Sequence, residues 1–521
     1  SKAGLEILQA GGSAVDAAIA VQMVLGLVEP RSSGIGGGAF LLHTKGAGPT
    51  RRTQAFDGRE TAPAGADESL FLNAQGQPLP FFEAVVGGRS VGTPGVLKML
   101  AMAHQQHGKL PWARLFEPAI HLAKNGFAIS PRLHASLLAD TYLKLDPSAR
   151  AYFYQADGVP HPIGYVLRNP ELADVMQRIA KEGVNAFYKG DVAQAIVEKV
   201  QQHPKNPGRL RLQDLAQYQA KEREALCFDH AVRANVFEIC GFPPPSSGAI
   251  AIGQILGLLQ YAPNALKAPV QGELNADWLH DYAQASRLAF ADRAQYVADP
   301  DFVEMPAGNW RSLLDPAYLK LRAQLMGPTS LKQTPAGIPL RAQKSVYAPM
   351  SDQAEFGTSH ISIADAYGNA LAMTTTIENA FGARQMVHGF LLNNELTDFS
   401  FVPQDSQGRL VANRVQANKR PRSSMSPTLV FDKASGALLM STGSPGGEMI
   451  IHFTAKTLIG VLHWGMTPQQ AIDLPNFGAL GDPMVVEEKR FSANTLQSLR
   501  ARGAEVRELA LTSGLQAIVK Q

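Results

Sequence analysis

The chain changes character once, sharply, at residue 358. Just before it, residues 327–356 (GPTSLKQTPAGIPLRAQKSVYAPMSDQAEF) carry no hydrophobic period and many turn formers. Just after it, TSHISIAD, AYGN and ALAMTTTI read as strand, turn and strand. A long stretch without structure of its own inside a compact protein is either functional or disordered. This one reads as a surface segment that ends at Gly357-Thr358, on the threshold of a strand. Any fold for this chain has to present that junction, so the junction is where chemistry is sought first.

The hairpin that follows has a definite register. A three-residue loop, Ala366-Tyr367-Gly368, puts glycine where a positive φ is wanted. Counting outward pairs Asp365 with Asn369, Ile363 with Leu371, Ile361 with Met373 and Thr358 with Thr376. Two hydroxyls then face each other at the open end. Threonines also favour strands for reasons of packing alone, so the spacing by itself does not decide.

Other candidates lie further along. SPTLVFD, KASG and ALLMSTG predict a second hairpin, followed by a helix over EMIIHFTAKTLIGVLHWG. Gly446 and Gly447 sit at the strand-to-helix turn between them. Bare N–H groups there can bind an anion or a developing oxyanion, and a tight turn needs the same glycines. Ser423 and Ser424 are adjacent hydroxyls, fit for a carboxylate or for an ordinary polar strand entry. Glu395 and Asp398 in NNELTDF could hold an ammonium or form a solvated acidic turn. Arg59 in AFDGRETAP could grip a carboxylate with two parallel bonds, although most lone arginines are surface residues.

The first part of the chain reads as helices and glycine turns. Ser13 and Asp16 predict a capped helix over AVDAAIAVQMVLGLV, and Pro30 ends it. The glycine loop GIGGGAF follows that helix and feeds a strand, the reverse of a dinucleotide fingerprint. There is no Walker loop, no HExxH and no G-x-S-x-G elbow. Cys227 and Cys240 flank FDHAVRANVFEI, a predicted strand-turn-strand. They can bridge across it or remain two buried thiols. They have no metal-ligand spacing.

Composition excludes several classes. With 45% hydrophobic and 18% charged residues among 521, the chain is not disordered. A net charge of +3 makes no electrostatic case for nucleic acid. The longest uncharged run tested, Ala17 to Val28, is shorter than the roughly 18–20 residues of a membrane span. The first residues read as folded-domain helix and not as a leader. Length alone predicts about three domains.

Taken in order, the motifs resemble the γ-glutamyltransferase family (γ-glutamyltranspeptidase, glutathione hydrolase) among the N-terminal-nucleophile hydrolases. They are GGSAVDAAIA, GIGGGAF, FDGRETAP, VGTPG, FPPPSSG, ADRAQYVADPDFV, GTSHISIADAYGNA, TTTIENAFG, LLNNELTDFS, NKRPRSSMSPT and TGSPGG. The resemblance implies an α+β fold, a four-layer αββα sandwich forming one core. It implies a precursor cut between Gly357 and Thr358 into residues 1–357 and 358–521, a heterodimer of its own products. Such a cut makes chemical sense: a free α-amine titrates near 8 and can take the hydroxyl proton, which a mid-chain threonine cannot arrange. The loose segment would supply the slack.

By the same resemblance, Thr358 is the nucleophile and Thr376 assists it. Arg59, Ser423 and Ser424 would hold a substrate α-carboxylate. Glu395 and Asp398 would hold its α-ammonium, and Gly446 and Gly447 would form the oxyanion hole. Glutathione and related γ-glutamyl compounds would be the donors. Water, amino acids or dipeptides would be the acceptors. No metal and no organic cofactor is implied, and the location would be periplasmic or secreted. Glu378 stands where the best-known members have Asn, beside the substrate amine. TTTIE with Arg384 resembles the branch with cephalosporin acylase-like members, so a cephalosporin or glutaryl acylase is the alternative, and an uncleaved binding protein a third reading. The segment Phe399 to Asn418, where a lid is expected, is shorter than in lidded bacterial enzymes and lacks tyrosine. The residue before Thr358 is glycine, which does not block cleavage.

Overall fold

Strand β1 (Gly38–Lys45) is buried along nearly its whole length, because its two faces enter two different cores. Side chains alternate across a strand. Phe40 and Leu42 pack with Ala372, Leu429 and Phe431. Leu41, one step out of phase, packs with Val15, Ile19 and Met99. The computed structural model that shows this describes every residue except 47, 49, 352–356 and 521.

The remaining strands of the two sheets are β2 (Arg52–Gly58), β3 (Lys221–Glu224), β4 (Leu226–Val232) and β5 (Asn235–Gly241), then β6 (Ser359–Ala364), β7 (Ala370–Thr376), β8 (Thr428–Asp432), β9 (Leu438–Gly443) and β10 (Gln516–Val519). One sheet has the order β3-β2-β1-β7-β6 and the other β10-β9-β8-β5-β4. All their pairings are antiparallel. Both sheets combine strands from before and after residue 358.

Three clusters define the layers. The first lies between the sheets and includes the stacked rings of Phe40 and Phe242, 4.1 Å apart. A second joins the first sheet to helices Ala14–Val28 and Val96–His107. A third joins Ile239, Val430 and Met440 of the second sheet to helices Gly248–Leu259, Ala276–Tyr296 and Met449–Leu462. The expected αββα order is therefore present.

The hairpin register is as predicted. Ile361 faces Met373 and Ile363 faces Leu371. The Asp365 N–H donates to the Asn369 carbonyl at 3.0 Å, and Gly368 has φ +82°. The Ser13/Asp16 capping box is formed. The glycine loop before β1 has a packing reason. A Cβ on Gly37 would lie 2.1 Å from the Thr376 carbonyl oxygen, and one on Gly36 would lie 2.2 Å from that of Leu391. Only glycine lets this loop close on the end of β7 and on Leu391.

The loose segment is a surface strap over its described part, residues 327–351, which contains no helix or strand. It runs along helix Ala276–Tyr296. Gln284 donates to the Gly327 carbonyl, the Tyr296 hydroxyl to Gly337 and Gln295 to Tyr347. The rest of it, 352–356, lies outside the described residues. Cys227 and Cys240 face each other in the β4–β5 register and form a disulfide, which decides between the two sequence readings.

Four buried histidines make the fold acid-sensitive. Burial pushes His43, His230, His360 and His452 down to about 3. In the unfolded chain they titrate near 6.5. Between those values the unfolded state binds more protons, so stability is lost as pH falls. Each histidine contributes at most about 1.4 kcal/mol per pH unit. The urea midpoint is therefore expected to drop steeply between pH 6.5 and 4.5, and an unchanged midpoint there would show that these rings are not held neutral.

Candidate active site

Thr358 stands one residue before β6, and Thr376 ends β7 beside it. Both are buried. The Thr376 hydroxyl donates to the Gly357 carbonyl at 2.8 Å and accepts the Glu378 N–H at 2.7 Å. The second bond occupies a lone pair, so the hydroxyl proton is aimed at Gly357. The Thr358 hydroxyl also donates to the Gly357 carbonyl. Two hydroxyls thus converge on the carbonyl of one peptide bond, and that bond is the predicted cleavage site.

A small cavity opens beside them. It is lined by Arg59, Thr358, Thr376, Glu378, Glu395, Asp398, Ser423, Ser424 and Gly447, together with Met425 and Ile450. Every residue given a catalytic, substrate-binding or cleavage role from the sequence is there except Gly446 and Gly357, the chain neighbours of Gly447 and Thr358. A wider groove of about 1300 Å³ near Phe82, Tyr142 and His388 shares no residue with it.

The acidic and basic candidates form one cluster. Arg59, fully buried, donates to Glu395 and, at 2.5 Å, to Asp398. It also donates to the Arg422 carbonyl at 2.7 Å and the Pro421 carbonyl at 3.1 Å. Burial alone would lower the Arg59 pKa, but Glu395, Asp398 and Glu60 raise it above its ordinary value. Arg59 is thus the counter-charge of the acidic pair, a pairing that reading each motif separately did not give. Glu60, 4.0 Å from Arg59, is pushed well above the carboxylate range by burial and then by Glu395.

Glu378 has φ +70°, a left-handed backbone that asparagine adopts more readily than glutamate. Its carboxylate accepts from Asn394. Arg384, further along the same loop, is buried against Asp140 and the Asn379 side chain and does not line the cavity. Gly446 and Gly447 have φ +135° and +57°, and helix Met449–Leu462 begins two residues later. The segment 399–418 is a loop fastened beside the site. Asn413 donates to the Asp398 carbonyl and accepts the Arg422 N–H, at 2.7 and 2.9 Å.

Sequence reasoning missed two contributors. Asn394 is the partner of Glu378, and it lies inside NNELTDF, which was read only for its acids. Arg293, in ADRAQYVADPDFV, donates to Ser424, which lines the cavity, and to Glu448. Its helical setting gave no local sign of this; the motif alone marked it.

Comparison with known proteins agrees with this geometry. The family model described as γ-glutamyltranspeptidase matches residues 1–521. The chain is 37% identical over 484 residues to a glutathione hydrolase proenzyme of Bacillus subtilis strain 168, covering 91% of this chain and 78% of that one. It is 35% identical over 516 residues to the glutathione hydrolase proenzyme of Escherichia coli K12, covering 97% and 84%. Among solved structures, the γ-glutamyltranspeptidase of Helicobacter pylori matches 66% of this chain and 95% of its own, with 31% identity and a TM-score of 0.59. A cephalosporin acylase from Bacillus halodurans covers 100% of this chain and 90% of its own with a TM-score of 0.81, but at 24% identity that likeness concerns the fold. A match over the entire length, with relatives above one-third identity, places this chain in the γ-glutamyltranspeptidase family.

Proposed function

We propose that the chain cleaves itself before Thr358 and that the product transfers γ-glutamyl groups, from glutathione and similar amides, to water or to the amines of amino acids and dipeptides. The observation that carries this is the convergence of the Thr358 and Thr376 hydroxyls on the Gly357 carbonyl. In the first stage the Thr358 oxygen attacks the Gly357 carbonyl carbon. The peptide C–N bond breaks, the hydroxyl proton ends on the amine, and an ester joins the two. Water hydrolyses that ester to a Gly357 carboxylate and a free Thr358 amine. The products, 1–357 and 358–521, stay interleaved because each sheet contains strands of both.

In the second stage the new amine takes the Thr358 hydroxyl proton as the oxygen attacks the γ-carbonyl. Gly446 and Gly447 N–H groups would receive the oxyanion. The leaving amine takes the proton, and water or an acceptor amine releases the γ-glutamyl group. Ser423 and Ser424, with the charge of Arg59, suit the α-carboxylate. Glu395, Asp398 and Glu378 suit the α-ammonium, since acids outnumber the single guanidinium among these cavity residues. No step calls on a metal or cofactor. The Cys227–Cys240 disulfide favours an oxidising location, periplasmic or secreted.

The competing reading, a glutaryl or cephalosporin acylase, would take an acyl group without the ammonium. One comparison separates them: kcat/KM for γ-glutamyl and glutaryl anilides with the same leaving group. A buried charge pair broken from one side costs about 3 kcal/mol or more, so the γ-glutamyl anilide is expected to lead by about 100-fold. Equal or faster glutaryl turnover would reject the γ-glutamyl assignment.

A further inference from the structure

Ser423 and Ser424 are both wired as acceptors on the protein side. A serine hydroxyl has one proton to give and two lone pairs to receive with. The Ser423 oxygen accepts the Met425 N–H at 3.1 Å. The Ser424 oxygen accepts from Arg293 Nη2 at 2.7 Å. Among the described residues neither hydroxyl donates to a protein acceptor, and both line the cavity that holds Thr358. Ser247 is wired differently. It accepts from Arg293 Nε at 2.9 Å and passes its own proton to the Ser423 carbonyl at 2.9 Å. Ser246 donates to the Met425 carbonyl at 2.7 Å. The FPPPSSG loop therefore clamps the backbone of the serine pair while Arg293 occupies a lone pair of Ser424.

We infer that Arg293 is a positioning residue that fixes the polarity of Ser424, so that the Ser424 proton is presented to an anion in the cavity. A guanidinium has no acceptor, so it can never take that proton itself. Its planar fork reaches Ser247, Ser424 and Glu448 at once, the last at 3.1 Å from Nη1. An ammonium on a flexible stem cannot hold three such partners in one plane. Arg293 is buried at 3% exposure, so its hold on Ser424 is not diluted by water. Removing it would let the Ser424 hydroxyl turn and spend its proton on a protein acceptor.

This inference rests on the reading that the serine pair receives the substrate α-carboxylate, and the test separates the two. Steady-state kinetics are measured for wild type, Arg293→Lys, Ser424→Ala and the double variant, each first checked for cleavage into two chains. The substrates are γ-glutamyl-4-nitroanilide and 4-aminobutanoyl-4-nitroanilide, which keeps the ammonium and lacks the α-carboxylate. For Arg293→Lys, KM for the γ-glutamyl anilide is expected to rise about tenfold with kcat within about threefold. The 4-aminobutanoyl anilide is expected to be unaffected, and the double variant to be no worse than Ser424→Ala. An equal loss on both anilides, or none on either, would overturn the role. Wild type treating the two anilides alike would instead reject the carboxylate reading, and this inference with it. If Arg293→Lys does not accumulate as folded protein, Arg293→Gln, which keeps one donor, is put through the same comparison with the same expectations.

Discussion

Thr358→Ala is expected to stay a single chain of 56.0 kDa and to lose acyl transfer by at least about 10⁴-fold. The substitution removes the oxygen that attacks Gly357 and, in the same stroke, the oxygen that would carry the acyl group. It also prevents the α-amine from appearing, so the loss of base and nucleophile come together. The fold should survive, because only a hydroxyl and a methyl leave a buried position at the edge of β6. Denaturing electrophoresis and anilide release check both halves. Thr358→Ser keeps the oxygen and should still be cut. An alanine variant that is cleaved, or that turns over the anilide at the wild-type rate, would remove Thr358 from its role.

Thr376→Val should slow self-cleavage by about 10²–10³-fold, the usual effect of losing one donor to a developing oxyanion. Valine matches the shape of threonine, so the change is almost purely the loss of the hydroxyl. That hydroxyl donates to the Gly357 carbonyl and accepts the Glu378 N–H. Without it, the buried Glu378 N–H has lost its partner, at a cost of about 1–3 kcal/mol. The rate at which full-length chain disappears measures the first effect and a melting curve the second. Thr376→Ser should restore most of the rate. Cleavage at an unchanged rate in the valine variant would mean that the Gly357 carbonyl is polarised by some other group.

What the sequence revealed, and what it hid, follows from the range of the forces involved. The hairpin at 358 was legible because its register depends on a three-residue loop and a two-residue period, both local. The capped helix at Ser13 was legible for the same reason. Arg59 was not. Its partners Glu395 and Asp398 are more than 330 positions away, and only the stacking of loops at one sheet end brings them together. Arg293 was hidden similarly, since an arginine on a long helix shows nothing of the serine 131 residues later that it will meet. The disulfide lay between these cases. The strand-turn-strand pattern made it feasible, and pairing in register made it a fact. The glycine loop GIGGGAF is legible as a loop that feeds a strand, but the reason for its glycines, the close approach of Gly37 to Thr376, is not local.

The central claim is that this chain makes its own catalyst by cutting at one bond. Its most direct test is the mass and N-terminal sequence of the purified wild-type protein. Sharing 56.0 kDa in proportion to 357 and 164 of 521 residues predicts two bands of about 38 and about 18 kDa. The smaller is predicted to begin Thr-Ser-His-Ile. A single full-length chain after prolonged incubation, or a new N-terminus at any residue other than Thr358, would contradict it.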